Sequence, residues 1–182
     1  AESIEIANPK RWWPAGYGEQ PLYELEVAIA GERVRKRIGL RELALVTEED
    51  DRGLSFAFHV NGVAIFAKGA NWIPCDALPA RQTRAVLDDL LSSAAAAHMN
   101  MIRVWGGGQY ESEDFYDLCD EKGLLVWQDF MFSCSTYPAT AEFLASVEEE
   151  ARYQVKRLRD HACIALWCGN NEDLGALNWF PA

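Results

Sequence analysis

The stretch NMIRVWGGGQYESEDFYDLCDEKGLLVWQDF, residues 100–130, decides the fold because it predicts a strand, a helix and a second strand in succession. Its first apolar run ends at three glycines, and residues 112–123 have the spacing of a helix. Residues 124–130, LLVWQDF, begin with a second apolar run. Ser112 is the predicted N-cap of the helix, and Gly123 is its predicted C-terminal stop. Strands that alternate with helices normally run parallel, so the stretch predicts an α/β fold.

The same alternation continues on both sides of this stretch. A strand is predicted at 63–72, helices at 83–99 and 141–160, and a fourth strand at 162–172. Both an open doubly wound sheet and a (β/α)8 barrel fit this order. No GxGxxG fingerprint follows a strand, and residues 63–182 hold only four βα units, which is half of a barrel.

The N-terminal part of the chain has the pattern of strands. LYELEVAIA at 22–30 alternates apolar and polar residues, RVRKRIGL at 33–40 is a second candidate strand, and Asn61-Gly62 predicts a tight hairpin. This part is typical of the last strands of a β-sandwich and is too short to be a complete one. The pattern of strands continues to about residue 60, and the alternation of strands and helices begins at about residue 63.

Composition excludes several classes of function. The chain has 182 residues, is 49% hydrophobic and has a net charge of -11, which does not favour nucleic-acid binding. No apolar run approaches the ~20 residues of a membrane span, and the first residues of this sequence lack the pattern of a signal peptide. Five scattered cysteines and three scattered histidines match no metal or redox motif. The first residue is Ala1 rather than Met, which predicts a processed form or an excised piece.

Polar and aromatic residues follow every strand of the predicted parallel sheet. The carboxyl ends of parallel strands meet at one rim, so these residues predict a shared site. They are Asn71 and Trp72, Arg103 and Trp105, Gln128 and Asp129, and Asn170, Asn171 and Glu172.

Carboxylates, amides and tryptophans together fit glycoside hydrolysis. One carboxyl group protonates the leaving oxygen, while another attacks the sugar or activates water. Glu172 is the candidate acid, and Asn171 beside it is placed to bond a sugar hydroxyl. The alternative is that Glu172 only favours the positive end of the helix predicted after it.

Four stretches together resemble the β-mannosidases of glycoside hydrolase family 2. The resemblance covers nearly the whole chain. The Asn-Glu pair alone is moderately specific, whereas KGANWIP, RVWGGGQYE and WQDFMF in this order are strongly specific. The four stretches are NPKRWWPAGYGEQPLYELEV, FHVNGVAIFAKGANWIPCD, NMIRVWGGGQYESEDFYDLCDEKGLLVWQDFMFSC and LWCGNNE.

The resemblance implies a jelly-roll domain, an immunoglobulin-like β-sandwich and a catalytic barrel in that order. Residues 1–53 would be the C-terminal part of the sandwich. Residues 54–182 would be the first four βα units of a TIM (β/α)8 barrel, the N-terminal half of the catalytic domain. The jelly-roll domain and the other half of the barrel would then be partners that this chain lacks. Ala15 departs from the asparagine that the family pattern has there.

The resemblance also implies roles for individual residues. Glu172 would be the general acid/base, and Asn171 would contact the sugar 2-hydroxyl. Arg103 would orient the nucleophile, which is a second glutamate on a later strand outside this chain. No metal and no organic cofactor are implied. The remaining substrate-binding candidates are Trp105 beside Arg103 in the sugar subsite, Asn71, Trp72 and Asp129 lining the pocket, and Trp179 on the leaving-group side.

The implied activity is retaining hydrolysis of terminal, non-reducing β-D-mannose residues, with this chain catalytically incomplete by itself. Its partner would be a β-mannoside oligosaccharide or glycoside. An exo-β-glucosaminidase or β-galactosidase of the same family, and a non-catalytic carbohydrate-binding fragment, remain as alternatives. The compartment stays open, with the periplasm or cytoplasm implied for a bacterial protein and the lysosome for a eukaryotic one.

Overall fold

The computed structural model describes residues 3–179 of the chain. The described residues form eleven β-strands, four α-helices and a short 3-10 helix at Pro79–Arg81. The strands are β1 Tyr23–Ile29, β2 Glu32–Ile38, β3 Leu43–Val46, β4 Glu49–Asp50, β5 Gly53–Leu54, β6 Ala57–Val60, β7 Val63–Ile65, β8 Gly69–Trp72, β9 Met101–Val104, β10 Leu125–Asp129 and β11 Ile164–Cys168. The helices are α1 Arg84–Ala96, α2 Glu113–Lys122, α3 Ala141–Leu158 and α4 Asp173–Trp179.

A four-stranded parallel sheet carries the predicted site. Its strands lie in the order β8, β9, β10, β11, which is also their order in the sequence. In this register Asn71 lies opposite Arg103, and Arg103 lies opposite Trp127. Helices α1, α2 and α3 connect successive strands, so the predicted α/β fold is confirmed.

All three connecting helices contribute to a core on one face of the sheet. Leu87 and Leu91 of α1, Phe115 of α2 and Leu158 of α3 are buried there against strand residues such as Val104. A doubly wound sheet has helices on both faces, so this arrangement does not support that alternative.

Among residues 3–179, a second cluster covers the opposite face of the sheet near the start of its strands. Met101 and Leu125, the first residues of β9 and β10, belong to this buried cluster, which includes Trp12 and Phe58. Trp12 is fully buried, and its indole N–H donates to the carbonyl oxygen of Asp120 at 2.8 Å. Nearer the strand ends this face carries polar side chains such as Asn71 and Arg103, beside the indole of Trp127.

The boundaries of α2 match the sequence prediction. Ser112 is the N-cap residue, and Gly123 ends the helix in the left-handed conformation with φ 72°. Glu113 and Asp114 occupy the first turn, where negative charge favours the positive end of the helix dipole. The side chain of Ser112 makes no capping hydrogen bond, so the cap position is confirmed without the expected bond.

The predicted strand at 63–72 is wrong because it is two strands. β7 pairs antiparallel with β6, whereas β8 pairs parallel with β9. The residues between them are held by the buried side chain of Asn100, which accepts from the Lys68 N–H at 2.8 Å and donates to the Phe66 carbonyl at 3.1 Å. These bonds replace ladder bonds that the connecting residues cannot make.

The Asn61-Gly62 hairpin is confirmed between β6 and β7. Both residues have positive φ angles, 51° and 82°, as a type I′ turn requires. β6 also pairs with β3, so this small sheet joins strands from both sides of the predicted boundary at residue 53. Within residues 3–179, β1 and β2 pair only with each other. The boundary and the immunoglobulin-like sandwich stay predictions.

Between residues 3 and 179, no helix combines the length and the apolar composition that a membrane crossing requires.

Candidate active site

Three polar side chains lie on the open face of the parallel sheet near the strand ends. Successive residues of a strand point to opposite faces, so Asn71 and Arg103 face away from the helices while Trp72 faces toward them. Asp129 completes this row at the end of β10. Because side chains alternate between the two faces of the sheet, one amide, one cation and one carboxylate from three strands lie on the same face.

Asp129 orients Arg103. Its carboxylate is fully buried and accepts from Arg103 Nη2 at 2.7 Å and from Nε at 3.2 Å. The same two oxygens accept from the Gly106 N–H at 3.0 Å and from Trp127 Nε1 at 3.1 Å. Two-point pairing fixes the plane of the guanidinium. Asp129 therefore acts here as a positioning group and offers no free oxygen at the open surface.

Arg103 in turn orients Asn171. Its Nη2 donates to Asn171 Oδ1 at 2.9 Å, and its Nη1 lies 3.4 Å from Asn71 Oδ1. Because a guanidinium has only donors, the amide oxygen of Asn171 must face it. The Asn171 NH2 group consequently points the other way, to Ser133 Oγ at 3.4 Å and Glu172 Oε2 at 3.5 Å.

Glu172 lies just beyond β11 in a strained backbone conformation. Its φ is 62°, a left-handed value that costs a non-glycine residue about 1–3 kcal/mol and persists only where neighbours impose it. The residue before it imposes the path of the chain, because the Asn171 N–H donates to the Phe132 carbonyl and the Cys134 N–H donates to the Asn171 carbonyl, both at 2.9 Å. The exposed carboxylate also accepts from the Cys134 thiol at 3.6 Å.

The helix after Glu172 has a different side chain at its start. Asn170 Oδ1 accepts from the Asp173 N–H at 3.2 Å, where α4 begins. The backbone carbonyl oxygen of Glu172 accepts from the Ala176 N–H at 3.1 Å, while the Glu172 carboxylate accepts from Asn171 and Cys134. The geometry therefore does not favour the alternative in which Glu172 serves the helix alone.

Trp105 is held beside this cluster by glycines. A Cβ atom at Gly107 would lie 2.1 Å from the Trp105 ring, and one at Gly106 would lie 2.6 Å from the Phe132 carbonyl oxygen. The Trp105 N–H donates to the Trp72 carbonyl at 3.2 Å. The run of three glycines thus lets the indole and the segment after β10 approach the backbone closely.

Two of the predicted pocket residues lie elsewhere. Trp72 is buried in the helix-facing core, where its ring packs on Phe115 with centroids 5.0 Å apart. Trp179 is the last residue of α4 and is 53% exposed, and its ring covers Gly175. The structure brings together Asn71, Arg103, Asp129, Asn171 and Glu172, with Trp105 beside them.

Glu111 is a buried carboxylate that the sequence analysis missed. It is 3% exposed and accepts from Trp72 Nε1 at 3.0 Å and from Gln109 Nε2 at 3.3 Å. Loss of hydration raises the pKa of this carboxyl group, and the two hydrogen bonds oppose that shift. A single glutamate in a loop before a helix gives no sequence signal of burial.

An open groove of about 350 Å³ lies on the same face of the sheet. Asn71 and Arg103 line it together with Gly69, Met101 and Trp127. Amide and guanidinium groups beside an aromatic face can bind a hydroxylated ring, by hydrogen bonds at its edge and by packing on its face.

A second group of polar side chains lies at the other end of the sheet. The ligand atoms of Asp120, His161 and Cys163 lie within 4.8 Å of one another. Asp120 already accepts from the Cys163 N–H and pairs with His161 Nδ1, both at 2.7 Å. Burial raises the pKa of the Cys163 thiol well above its ordinary value. We interpret the group as structural, because its polar atoms already have partners.

Comparison with known proteins relates this geometry to a family. The pattern of the family described as Glycosyl hydrolases family 2 matches residues 1–41. The chain is 47% identical over 176 residues to β-mannosidase B of Emericella nidulans, a match that covers 94% of this chain and 21% of that protein.

Solved structures agree with the sequence matches. The β-D-mannosidase of Dictyoglomus thermophilum superposes with a TM-score of 0.88 at 51% identity, over 92% of this chain and 21% of that one. The exo-chitosanase of Amycolatopsis orientalis shares the fold, with a TM-score of 0.76 at 22% identity over 89% of this chain and 20% of that one.

The chain is thus a homologue of glycosyl hydrolases of family 2. Among these hydrolases, β-mannosidases are homologous to this chain over most of its length, as the resemblance predicted. It spans about a fifth of the length of the curated relatives it matches.

Proposed function

We propose that the parallel sheet is the first half of a (β/α)8 glycosidase barrel, preceded by the end of an immunoglobulin-like sandwich. The support is the sequential strand order, with α1, α2 and α3 all packed on one face. In a closed barrel that face would be the outside, and the face with Arg103 would be the inside. β8 and β11 would be the strands that the remainder of the protein extends.

The chemistry that we propose is retaining hydrolysis of a terminal β-D-mannoside. Glu172 would protonate the leaving oxygen and then deprotonate the water that attacks the glycosyl-enzyme. Asn171 would bind the sugar 2-hydroxyl through the amide that Arg103 orients. Arg103 and Trp105 would shape the sugar subsite, and Asn71 would line it.

One observation carries this proposal. Glu172 is held in a strained conformation at a strand end, 3.5 Å from an amide that an Arg-Asp pair fixes in orientation. A surface carboxylate with no role would not require this series of contacts. Strained backbone conformations cluster at active sites, where the surroundings determine them.

The second carboxyl group of a retaining mechanism would come from outside this segment. Asp129 is the other carboxylate of the cluster, and all of its close contacts are donors that hold Arg103 and the backbone. A nucleophile must approach the anomeric carbon freely, so Asp129 does not fit that role. The nucleophile would therefore lie on a later strand of the complete barrel.

The test is a chimaera in which residues 3–179 replace the matching fifth of the Dictyoglomus thermophilum β-mannosidase. We expect the chimaera to hydrolyse aryl β-mannosides. Glu172→Gln should lower kcat/KM about 10²- to 10⁴-fold for a leaving group of high pKa, and far less for an activated one such as 2,4-dinitrophenol. General acid assistance matters only where the leaving group needs a proton.

The matched control is Glu149→Gln, which changes an exposed glutamate on α3 and should leave both rates unchanged. Equal losses for both leaving groups in the Glu172→Gln chimaera would contradict the acid role. Full activity of that variant would contradict the whole assignment.

A further inference from the structure

Three aromatic side chains pack together where the chain runs from β10 into α3: Phe132 and Tyr137 precede the helix, and Phe143 lies in its first turn. The rings of Phe132 and Tyr137 meet edge to face with centroids 4.9 Å apart, and those of Tyr137 and Phe143 stack at 6.3 Å with 14° between their planes. Tyr137 stays 40% exposed although it has aromatic neighbours on two sides. Large exposed aromatic side chains next to a polar cluster are typical of ring-binding surfaces.

The Tyr137 ring is fixed to the backbone that holds Glu172. Its hydroxyl oxygen accepts from the Ser133 N–H at 2.9 Å and lies 3.4 Å from the Ser133 carbonyl. Ser133 forms a parallel bridge with Asn171, the residue before Glu172. Tyr137 and the Glu172 carboxylate are therefore attached to the same short piece of paired backbone.

Tyr137 is bonded to Ser133, which lies with Glu172 on the side of the Asn171 amide away from Arg103. The Asn171 amide separates the two sides, because its oxygen faces Arg103 while its NH2 group faces Ser133 and Glu172. Arg103 and Asn71 would contact the sugar that is cleaved. A general acid lies against the bond it protonates, so the leaving group extends to the other side of it.

We propose that Tyr137 is the stacking surface for the leaving group, and that the site prefers β-mannosides whose leaving group is a sugar or aromatic ring. The inference rests on the proposed function. The hydroxyl of Tyr137 is already bonded to Ser133, so the ring face supplies the interaction. Phe143 stacks on the ring and Phe132 meets it edge-on, which fixes its plane at little cost in side-chain entropy.

The experiment compares two substrates that differ only in the leaving group, in the chimaera described above. β-1,4-Mannobiose leaves a sugar ring, whereas β-mannosyl fluoride leaves an ion that reaches no stacking surface. Tyr137→Ala and Tyr137→Leu should lower kcat/KM for mannobiose about tenfold and leave the fluoride within about twofold. Tyr137→Phe, which keeps the ring, should retain most of the activity on mannobiose.

Tyr153→Ala is the matched control, because Tyr153 is an exposed tyrosine of α3 at 64% exposure. Equal losses on both substrates in the Tyr137 variants would show a structural role and overturn the inference. Unchanged mannobiose hydrolysis in Tyr137→Ala would overturn it as well. Failure of the proposed function looks different, because the unmutated chimaera would then hydrolyse neither substrate.

Discussion

At the scale of residues, the site is a series of side chains in which each one orients the next. Asp129 fixes the guanidinium of Arg103, Arg103 determines which end of the Asn171 amide faces it, and the other end of that amide faces Glu172. Asp129 is fully buried and Asn171 is 9% exposed, whereas Arg103 is partly exposed and Glu172 is exposed. Charge-assisted bonds of this kind preorganise a site before substrate binds.

Gly107 allows a direct test of the residue contacts. Gly107→Ala would place a methyl group 2.1 Å from the Trp105 ring, well inside van der Waals contact. The indole must then move, and we expect the chimaera to show an increase in KM for aryl β-mannosides of about tenfold. Steady-state kinetics with Gly169→Ala as the control measures this, because a Cβ at Gly169 meets nothing within 4 Å. Unchanged KM in Gly107→Ala would show that Trp105 does not shape the sugar subsite.

At the scale of elements, the connection between β9 and α2 contains a buried carboxylate, Glu111, that forms no ion pair with any residue from 3 to 179. Glu111 accepts from two neutral donors, Trp72 and Gln109, and its pKa is raised by desolvation. In the folded chain it keeps its proton over a pH range in which the unfolded chain has lost it. Its contribution to the free energy of unfolding is therefore present at low pH and is lost as the pH rises above its ordinary pKa of 4.5.

Glu111→Gln should remove this pH dependence. The glutamine oxygen can still accept from Trp72 Nε1, but no ionisation follows as the pH rises. In the chimaera, the variant should become progressively more stable relative to the unmutated protein as the pH rises above 4.5, the ordinary pKa of the carboxyl group. Urea denaturation of the chimaera, followed by tryptophan fluorescence, measures the difference, with Glu149→Gln in the same chimaera as the exposed control. A constant difference across that range would show that Glu111 does not change its proton affinity on folding.

Among the secondary-structure elements, those that depend on local backbone geometry could be predicted from the sequence. Ser112, Gly123 and the Asn61-Gly62 hairpin were predictable, because each rests on local backbone geometry. The side of the sheet on which Trp72 lies was not predictable. A strand that is partly buried on both faces lacks the alternation of apolar and polar residues that assigns each residue to a face. The break between β7 and β8 depends on a contact with Asn100, more than 30 residues away, which local patterns do not contain.

At the scale of the whole molecule, the parallel sheet has two open edges. Within the described residues, β8 and β11 each pair on one side only. Apolar side chains of α3 and α4 are also exposed, among them Leu144 at 53%, Leu174 at 79% and Leu177 at 66%. Open strand edges and exposed apolar side chains promote association with other chains.

We therefore predict that this chain self-associates when it is prepared alone. Static light scattering over a range of concentrations should give an average mass well above that of the 20.4 kDa monomer. Insertion into the chimaera should abolish the effect, because the host supplies strands for both edges. A monodisperse monomer with a cooperative thermal transition would contradict the half-barrel proposal.

The central claim is that Glu172 is the acid/base of a retaining glycosidase, and azide rescue tests it most directly. Glu172→Ala in the chimaera should release 2,4-dinitrophenol from its β-mannoside and then stall at the glycosyl-enzyme, because no base activates water. Azide needs no base, so added azide should restore turnover and give β-mannosyl azide, identified by NMR. A product of the α configuration, or turnover of Glu172→Ala that azide does not change, would contradict the account.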